Sequence, residues 1–231
     1  MLSETKIIGH RGYVTDSITE NTISAFESAF KLGCDGIELD VHLSQDKEWI
    51  VHHDTTLAGL SIPKTKSDLL FKKARANGYE LTTLTEVLQK FSKKEINIEI
   101  KPDSFRVGKL LGKFLQDQGS LRHIYVTSFK SKTLTGLRKS SENIKLGWIT
   151  VYVSTKKWKY LNRRIGLYSI NPLHYILNKQ KIFEISKNKI KIQPWTVNRV
   201  GSIQKFLNFK VDAIITDRPE IALKERNNLL K

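Results

Sequence analysis

Short apolar segments alternate with helical patterns along this chain of 231 residues, and this alternation constrains its fold more than any other feature. Buried strands appear as short apolar runs, whereas helices repeat their apolar residues every three to four positions. Strands are predicted from residue 7 and at 36–43, 49–52, 96–101, 124–129, 144–151, 166–172, 190–197 and 212–216. Helices are predicted over 21–32, 84–91, 107–119, 131–140, 173–185, 200–208 and 219–230, with another starting after Ser67.

About eight strand–helix units in a chain of this length predict an α/β protein with the (β/α)₈ TIM-barrel fold. The active site of such a barrel lies at the carboxyl ends of its strands. A doubly wound open sheet is the alternative, but no G-x-G-x-x-G turn follows the first strand. Because no Gly/Ser-rich or Pro-rich linker interrupts the chain, residues 1–231 are expected to form a single domain.

The charge balance is strongly basic, with 39 Lys and Arg against 23 Asp and Glu, a net charge of +16. Such a balance attracts nucleic acid, anionic lipid or a phosphate-bearing substrate. Specific nucleic-acid recognition is not expected, because no zinc-finger or RRM pattern is present. The sequence contains no transmembrane-length apolar run and no signal-peptide pattern, so a cytoplasmic protein is expected. The single cysteine, Cys34, excludes an internal disulfide framework and is expected to be a buried structural thiol.

Two predicted strands carry carboxylates on alternate residues. In the segment GIELDVHL, alternation places Glu38, Asp40 and His42 on one face. In NIEIK, Glu99 and Lys101 share a face in the same way. Buried carboxylates are costly unless they are paired or bound to a cation. If both strands line one barrel, the three carboxylates form an oxygen site for one divalent cation, Mg²⁺ or Ca²⁺; ion pairs with nearby Lys or Arg are the alternative.

Titratable and cationic residues stand at the same predicted mouth. His10 and Arg11 come directly after the first strand, and His53 follows the extended piece at 49–52. Imidazole titrates near neutral pH, so His10 and His53 are candidates for general acid and general base. Arg11 and Lys101 are candidates to bind the oxygens of a phosphate group.

Nearby residues are interpreted as secondary to this group. His42 lies two positions beyond the carboxylates and is expected nearer to solvent, not as a ligand. His52 is expected to point away from His53, and Asp54 is a candidate to orient the ring of His53. Asp217, just beyond the last strand, is expected only to brace a loop.

An ordered set of short motifs runs from residue 7 to residue 219. It consists of HRG (10–12), ENT (20–22), GIELDV (36–41), HHDTTL (52–57), TLTEVL (83–88), NIEIKP (97–102), SF (128–129), WTVN (195–198) and DAIITDRP (212–219). In this order the set resembles the glycerophosphodiester phosphodiesterase family. The resemblance implies a TIM barrel with a small insertion after the second strand, at about 55–82. It also implies a metal-dependent enzyme that releases sn-glycerol 3-phosphate from deacylated phospholipids.

The resemblance also assigns roles to individual residues. One departure is Thr19, where the family usually has Pro; this is expected to change the stiffness of the turn and leave the chemistry intact. The nucleophile is left open between water and the neighbouring glycerol hydroxyl, and lysophospholipids, phosphatidylinositol or a glycerol-phosphate polymer are alternative substrates. The implied roles are acid/base catalysis for His10 and His53, metal binding for Glu38, Asp40 and Glu99, phosphate binding for Arg11 and Lys101, and an apolar wall for the glycerol from Trp195.

A basic segment, STKKWKYLNRR at 154–164, follows the fifth strand of the predicted barrel. Its Lys and Arg residues interleave with Trp158 and Tyr160, a composition typical of peripheral contact with an anionic membrane or another polyanion. A solvated basic helix is the alternative. A catalytically silent barrel that binds a phosphate-bearing polymer or membrane is a further alternative, which the presence of both His10 and His53 disfavours.

Overall fold

Twelve strands and nine α-helices are formed by the residues that the computed structural model describes, 4–119 and 121–229. The strands are β1 (Lys6–His10), β2 (Gly36–Leu43), β3 (Trp49–Val51), β4 (Thr56–Leu57), β5 (Leu60–Ser61), β6 (Thr82–Thr83), β7 (Glu95–Ile100), β8 (Ile124–Ser128), β9 (Lys145–Thr150), β10 (Leu167–Pro172), β11 (Lys191–Ile192) and β12 (Ala213–Thr216). The helices are α1 (Ile23–Leu32), α2 (Ser67–Ala76), α3 (Leu84–Lys90), α4 (Phe105–Asp117), α5 (Ser131–Ser140), α6 (Thr155–Ile165), α7 (Lys179–Ser186), α8 (Val200–Asn208) and α9 (Pro219–Leu229).

Eight parallel strands form the central sheet in the order β11–β10–β9–β8–β7–β2–β1–β12. Backbone hydrogen bonds join its two ends: the amide of Asp212 donates to the carbonyl of Ile192 (3.1 Å), and that of Ile215 donates to Pro194 (3.0 Å). The sheet therefore closes on itself, and the predicted (β/α)₈ barrel is confirmed. Because the strands are parallel, their carboxyl ends meet at one mouth of the barrel.

Helix boundaries follow side-chain capping. The Thr22 hydroxyl accepts a hydrogen bond from the amide of Ala25, and Gly33, with φ of 106°, ends α1 in the left-handed region that glycine tolerates. Helix α4 begins two residues before the predicted 107–119, because Ser104 caps it through the amide of Val107. Local side-chain chemistry thus sets where these two helices begin.

Two predicted elements were wrong in extent. The helix predicted over 173–185 is a 3₁₀ turn at His174–Ile176 followed by α7, because the Asn178 side chain accepts from the amide of Lys181 and starts a new helix. Of the strand predicted over 190–197 only β11 is regular, since Pro194 has no amide hydrogen to donate. Residue 230, the end of the last predicted helix, lies outside the described residues.

The segment between β2 and β7 builds a small unit on the mouth of the barrel. Strand β3 pairs antiparallel with the end of β2, with Val51 opposite Val41, and β6 pairs with β3. Strands β4 and β5 form a hairpin beside α2. A separate apolar cluster supports this unit, formed by Ile50, Leu57, Ile62, Leu70 and Ala74. The unit contains the turn that presents His53.

A single carboxylate anchors α2 to this unit, and its loss is expected to be measurable. Asp46 accepts hydrogen bonds from the Ser44 hydroxyl (2.5 Å) and from the amide and hydroxyl of Ser67 (3.0 and 2.7 Å). These bonds, the one from Ser44 first, lower the pKa of Asp46 to about 2. The folded-state pKa lies below the unfolded one, so the stabilisation is present above about pH 4 and is lost as pH falls towards 2.

Asp46→Ala should therefore lower the free energy of unfolding by about 1 kcal/mol at pH 7, the usual cost of losing a partner at a helix start. Urea unfolding at pH 7 and at pH 3 tests this, with a smaller difference expected at pH 3. An equal difference at both pH values, or none at pH 7, would contradict the anchoring role.

Cys34 is buried, and burial raises the pKa of its thiol to about 12, as suits the structural thiol that was expected. None of the described helices combines the length and the apolar character needed to cross a bilayer.

Candidate active site

Three carboxylates converge inside the mouth of the barrel. Glu38 and Asp40 lie on β2 and Glu99 lies on β7, where Asp40 is opposite Glu99 and Glu38 is opposite Asn97. One carboxylate oxygen from each of the three residues lies within 4.8 Å of the others. All three side chains are buried. The structure thus brings together the three acidic residues that strand alternation had placed on inward faces.

Two cations contact this cluster but do not balance it. The Lys101 ammonium lies 3.0 Å from both Asp40 Oδ1 and Glu99 Oε1, and the Arg11 Nε lies 3.2 Å from Asp40 Oδ2. Burial alone would raise the pKa of Asp40, but Lys101 and Arg11 hold that pKa below its usual value. Burial raises the pKa of Glu99, although Lys101 opposes this. Burial, followed by the charge of Asp40, raises the pKa of Glu38 to about 8.

This cluster fits a divalent cation. Ion pairing with Lys101 and Arg11 accounts for two negative charges, whereas among the described residues Glu38 has no Lys or Arg side chain within ion-pair distance, only the ring of His10 at 3.9 Å. Oxygen donors without thiolates suit a hard ion such as Mg²⁺ or Ca²⁺. Within residues 4–119 and 121–229 it is also the one group of three His, Cys, Asp or Glu side chains with metal-binding spacing.

The Glu-Asn-Thr segment at 20–22 positions these groups. The Glu20 carboxylate accepts hydrogen bonds from Arg11 Nη1 at 2.9 and 3.0 Å. The side-chain Nδ2 of Asn21 donates to Asp40 Oδ2 (2.9 Å), and its Oδ1 accepts from the backbone amide of Asp40 (3.1 Å). The sequence placed Asn21 only at the start of the first predicted helix and in the ENT motif, so its role beside Asp40 was missed. The hydroxyl of Thr22 donates to the carbonyl of Thr19 (2.7 Å) and closes the turn that carries this segment.

His10 is the last residue of β1, not the first residue after it as predicted. Its Nδ1 hydrogen-bonds to Asp217 Oδ1 (2.6 Å), while its Nε2 lies 3.9 Å from Glu38 Oε2. Burial alone would lower the pKa of His10, but Asp217 and Glu38 raise that pKa above its usual value. Asp217 also accepts from the side chain of Asn198 (2.7 Å). The expectation that Asp217 only braces a loop is therefore incomplete, since it holds one ring nitrogen of His10.

His53 follows β3, which pairs with the end of β2 on the same edge as β1. Its Nδ1 bonds to Asp54 Oδ1 at 2.8 Å, so the carboxylate proposed from sequence to orient this ring does contact it. His42 is buried, not near solvent as expected, and its Nε2 donates to the backbone carbonyl of His53 (3.1 Å). The ring of His52 donates to the carbonyl of Thr56 (3.2 Å) and is engaged away from its neighbour.

Apolar side chains complete the site. Trp195 is fixed by a hydrogen bond from its Nε1 to the carbonyl of Asn171 (2.9 Å). Together with Ile149 and Ile215 it lines a cavity whose wall also includes His10 and Glu38. The cavity therefore has one acidic and titratable side, formed by His10, Glu38 and Glu99, and one apolar side, suited to a small carbon chain.

Comparisons with known proteins agree with this arrangement. The Glycerophosphoryl diester phosphodiesterase family matches residues 10–221. A glycerophosphodiester phosphodiesterase of Caldanaerobacter subterraneus subsp. tengcongensis is 30% identical over 235 residues, covering 94% of this chain and 96% of the relative. The crystal structure of a glycerophosphodiester phosphodiesterase from Thermotoga maritima is similar with a TM-score of 0.79 and 28% identity, covering 96% of this chain and 98% of that one.

An Oleispira antarctica phosphodiesterase, solved with its product sn-glycerol-3-phosphate, shares the fold with a TM-score of 0.83 at 20% identity, over 97% of each chain. The resemblance drawn from the ordered motifs is thereby confirmed, and with it the class of enzyme. The chain belongs to the glycerophosphoryl diester phosphodiesterase family of phosphoric diester hydrolases.

Proposed function

We propose that this protein hydrolyses glycerophosphodiesters to sn-glycerol 3-phosphate and an alcohol, using a divalent cation and the imidazoles of His10 and His53. One observation carries the proposal: three buried carboxylates converge beside His10, whose Nδ1 bonds to Asp217, and the Nδ1 of His53 bonds in the same way to Asp54. The product complex of the Oleispira antarctica phosphodiesterase supports the choice of product. We also propose that residues 1–231 act as one domain.

Glu38, Asp40 and Glu99 would hold the cation, Mg²⁺ or Ca²⁺. When bound, such an ion supplies Lewis acidity towards a phosphoryl oxygen. Arg11 and Lys101 lie beside the same carboxylates, within reach of a phosphate held there. Their charges bind the non-bridging oxygens and stabilise the negative charge that develops as the nucleophile adds.

The two imidazoles move the protons. With Nδ1–H donated to Asp217 or Asp54, the Nε2 atom of each neutral ring carries the lone pair. One ring takes a proton from the nucleophile, and the other gives a proton to the leaving alkoxide. Each such transfer typically contributes about 10²–10⁴ to the rate. Trp195 forms the apolar wall against which the carbon chain of the glycerol packs.

The test measures release of sn-glycerol 3-phosphate from several glycerophosphodiesters that differ only in the alcohol. The protein is treated with EDTA, assayed, and assayed again after addition of Mg²⁺ or Ca²⁺. Activity should disappear with the chelator and return with at least one of the two ions. Activity that is indifferent to EDTA would overturn the metal assignment, and no release from any of the diesters would overturn the substrate class.

Asp217 is expected to act on catalysis through His10. Asp217→Asn should lower kcat about 10- to 100-fold, the usual cost of losing a group that orients a functional side chain. It should also lower the pKa of His10, because the carboxylate that raises that pKa is removed. The pH–rate profile should therefore move to lower pH.

Asp103→Asn is the matched control, since Asp103 is an exposed carboxylate on the loop after β7. An unchanged kcat and an unchanged pH profile in Asp217→Asn would show that the contact with His10 is only structural.

A further inference from the structure

Large apolar side chains are exposed on four consecutive loops around one half of the barrel mouth. Phe129 follows β8, Val151 and Tyr152 follow β9, Tyr175 follows β10, and Val200 begins α8. Tyr152 and Tyr175 are 68% and 66% exposed, more than any other large apolar or aromatic side chain among the described residues. Exposed patches of this kind on a rim mark interaction surfaces.

The same loops are uniformly basic. The segments 129–132, 151–157, 173–181 and 195–200 contain seven Lys or Arg and no Asp or Glu. Most of these cations are exposed. On the other half of the mouth the charges are mixed, since the loop after β1 contains both acidic residues, Asp16 and Glu20, and the basic Arg11. We call the four segments the basic rim.

Contacts join the basic rim into one surface beside the cavity. The Lys181 ammonium lies 6.0 Å from the ring centre of Tyr152, and the amide of Leu173 donates to the carbonyl of Thr150 (2.8 Å). The ring of Phe129 packs edge-on against Trp195, with ring centres 5.4 Å apart. Because Trp195 lines the cavity, the apolar surface runs from the cavity outwards onto the rim.

This surface differs from the one that the sequence indicated at 154–164. Trp158, expected at an interface, is 1% exposed and belongs to the core. Tyr160 accepts a hydrogen bond from Arg164 (2.6 Å), at the end of α6 that lies away from the mouth. Only the start of the segment, up to Lys157, is part of the basic rim.

We propose that the basic rim docks the mouth of the barrel onto an anionic lipid bilayer. Tyrosine suits the head-group region because its ring is apolar and its hydroxyl is polar, and Lys and Arg near an anionic surface add attraction. The exposed aliphatic side chains Val151 and Val200 favour a bilayer over a nucleic acid, because they bury in the acyl boundary but offer nothing to a base. The proposal places the cavity against the lipid surface, and it does not depend on the proposed catalytic chemistry.

The test is co-sedimentation with vesicles of phosphatidylcholine, with or without 30% phosphatidylglycerol. Wild type should bind the anionic vesicles at least tenfold more tightly than the neutral ones. The rim variant Lys130→Glu/Lys156→Glu/Lys179→Glu should lose this binding at least tenfold. The matched control is Lys139→Glu/Lys189→Glu/Lys210→Glu, with the same change of charge on exposed lysines at the far ends of α5, α7 and α8; it should lose less than threefold.

A second variant, Tyr152→Ser/Tyr175→Ser, tests the apolar part. It leaves the charge unchanged and should weaken binding several-fold, with the largest loss at high salt, where charge attraction is screened. Hydrolysis of a soluble glycerophosphodiester should be unchanged in the rim, control and tyrosine variants. Unchanged hydrolysis would establish that all three variants are folded.

Several results would overturn the proposal. Equal losses in the rim and control variants would show attraction by net charge alone. Unchanged binding in the tyrosine variant would remove the apolar contact. Binding of single-stranded DNA that depends on the rim, without binding of anionic vesicles, would assign the surface to a nucleic acid.

Discussion

His10→Ala is expected to lower kcat for glycerophosphodiester hydrolysis by about 10²–10⁴, the usual contribution of one proton transfer. The ring is held at Nδ1 by Asp217 and presents Nε2 beside Glu38, so the substitution removes a positioned proton-transfer group. KM should change little, because the imidazole acts mainly as the proton moves. His53→Ala should have an effect of similar size.

The double variant sharpens this prediction. The two imidazoles serve one transition state, so His10→Ala/His53→Ala should lose less than the product of the two single losses. His52→Ala is the matched control, since His52 adjoins His53 but bonds to Thr56 and should retain near-normal kcat. If both single variants retain wild-type kcat, the acid/base assignment is wrong.

Glu38→Gln is expected to weaken binding of a divalent cation at least 100-fold and to remove activity with it. The substitution keeps the shape of the side chain and removes a charge that neither Lys101 nor Arg11 contacts within ion-pair distance. Asp40 is a less informative position, because it contacts both Lys101 and Arg11, and its loss would also disturb these two candidate phosphate-binding cations. Isothermal titration with Mg²⁺ and with Ca²⁺ measures the affinity.

Measurements of stability distinguish a loss of metal binding in Glu38→Gln from unfolding of the protein. The pKa of Glu38 in the metal-free folded state is about 8, above its unfolded value, so ionising this group destabilises the metal-free fold as pH rises from about 5 to 8. Metal-free Glu38→Gln should therefore be at least as stable as wild type at pH 8, while it binds the cation weakly.

The matched control is Glu95→Gln, on β7 at the opposite end of the barrel beside Lys6, which should bind the cation normally. Wild-type affinity in Glu38→Gln would contradict its place in the metal site. A loss of activity in Glu38→Gln that is explained by unfolding alone would also contradict the place of Glu38 in the metal site.

The convergence of the carboxylates could be predicted because it depends on two simple regularities. Strand alternation places Glu38, Asp40 and Glu99 on inward faces, and a barrel of parallel strands brings those faces to one mouth. The helices were also largely predictable where a capping residue such as Thr22 precedes an apolar repeat. The break at Asn178 was missed because helical periodicity continues across it.

The supporting contacts could not be predicted, because they arise only when the barrel closes. Asp217 lies 207 residues from His10 in sequence, and the two meet because β12 pairs with β1. The bonds between Asn21 and Asp40 likewise require the loop after β1 to fold across β2. Trp158 stands in a basic segment whose composition is typical of a membrane interface, but its position on α6 places its side chain in the core.

The central claim is that Glu38, Asp40 and Glu99 share one divalent cation beside His10. A crystal structure of the protein soaked in Mn²⁺, with data collected for anomalous scattering, tests this claim directly. It should contain an ion within about 2.6 Å of carboxylate oxygens from all three residues. An ion bound elsewhere, or no ion while Lys101 and Arg11 keep their contacts with these carboxylates, would contradict it.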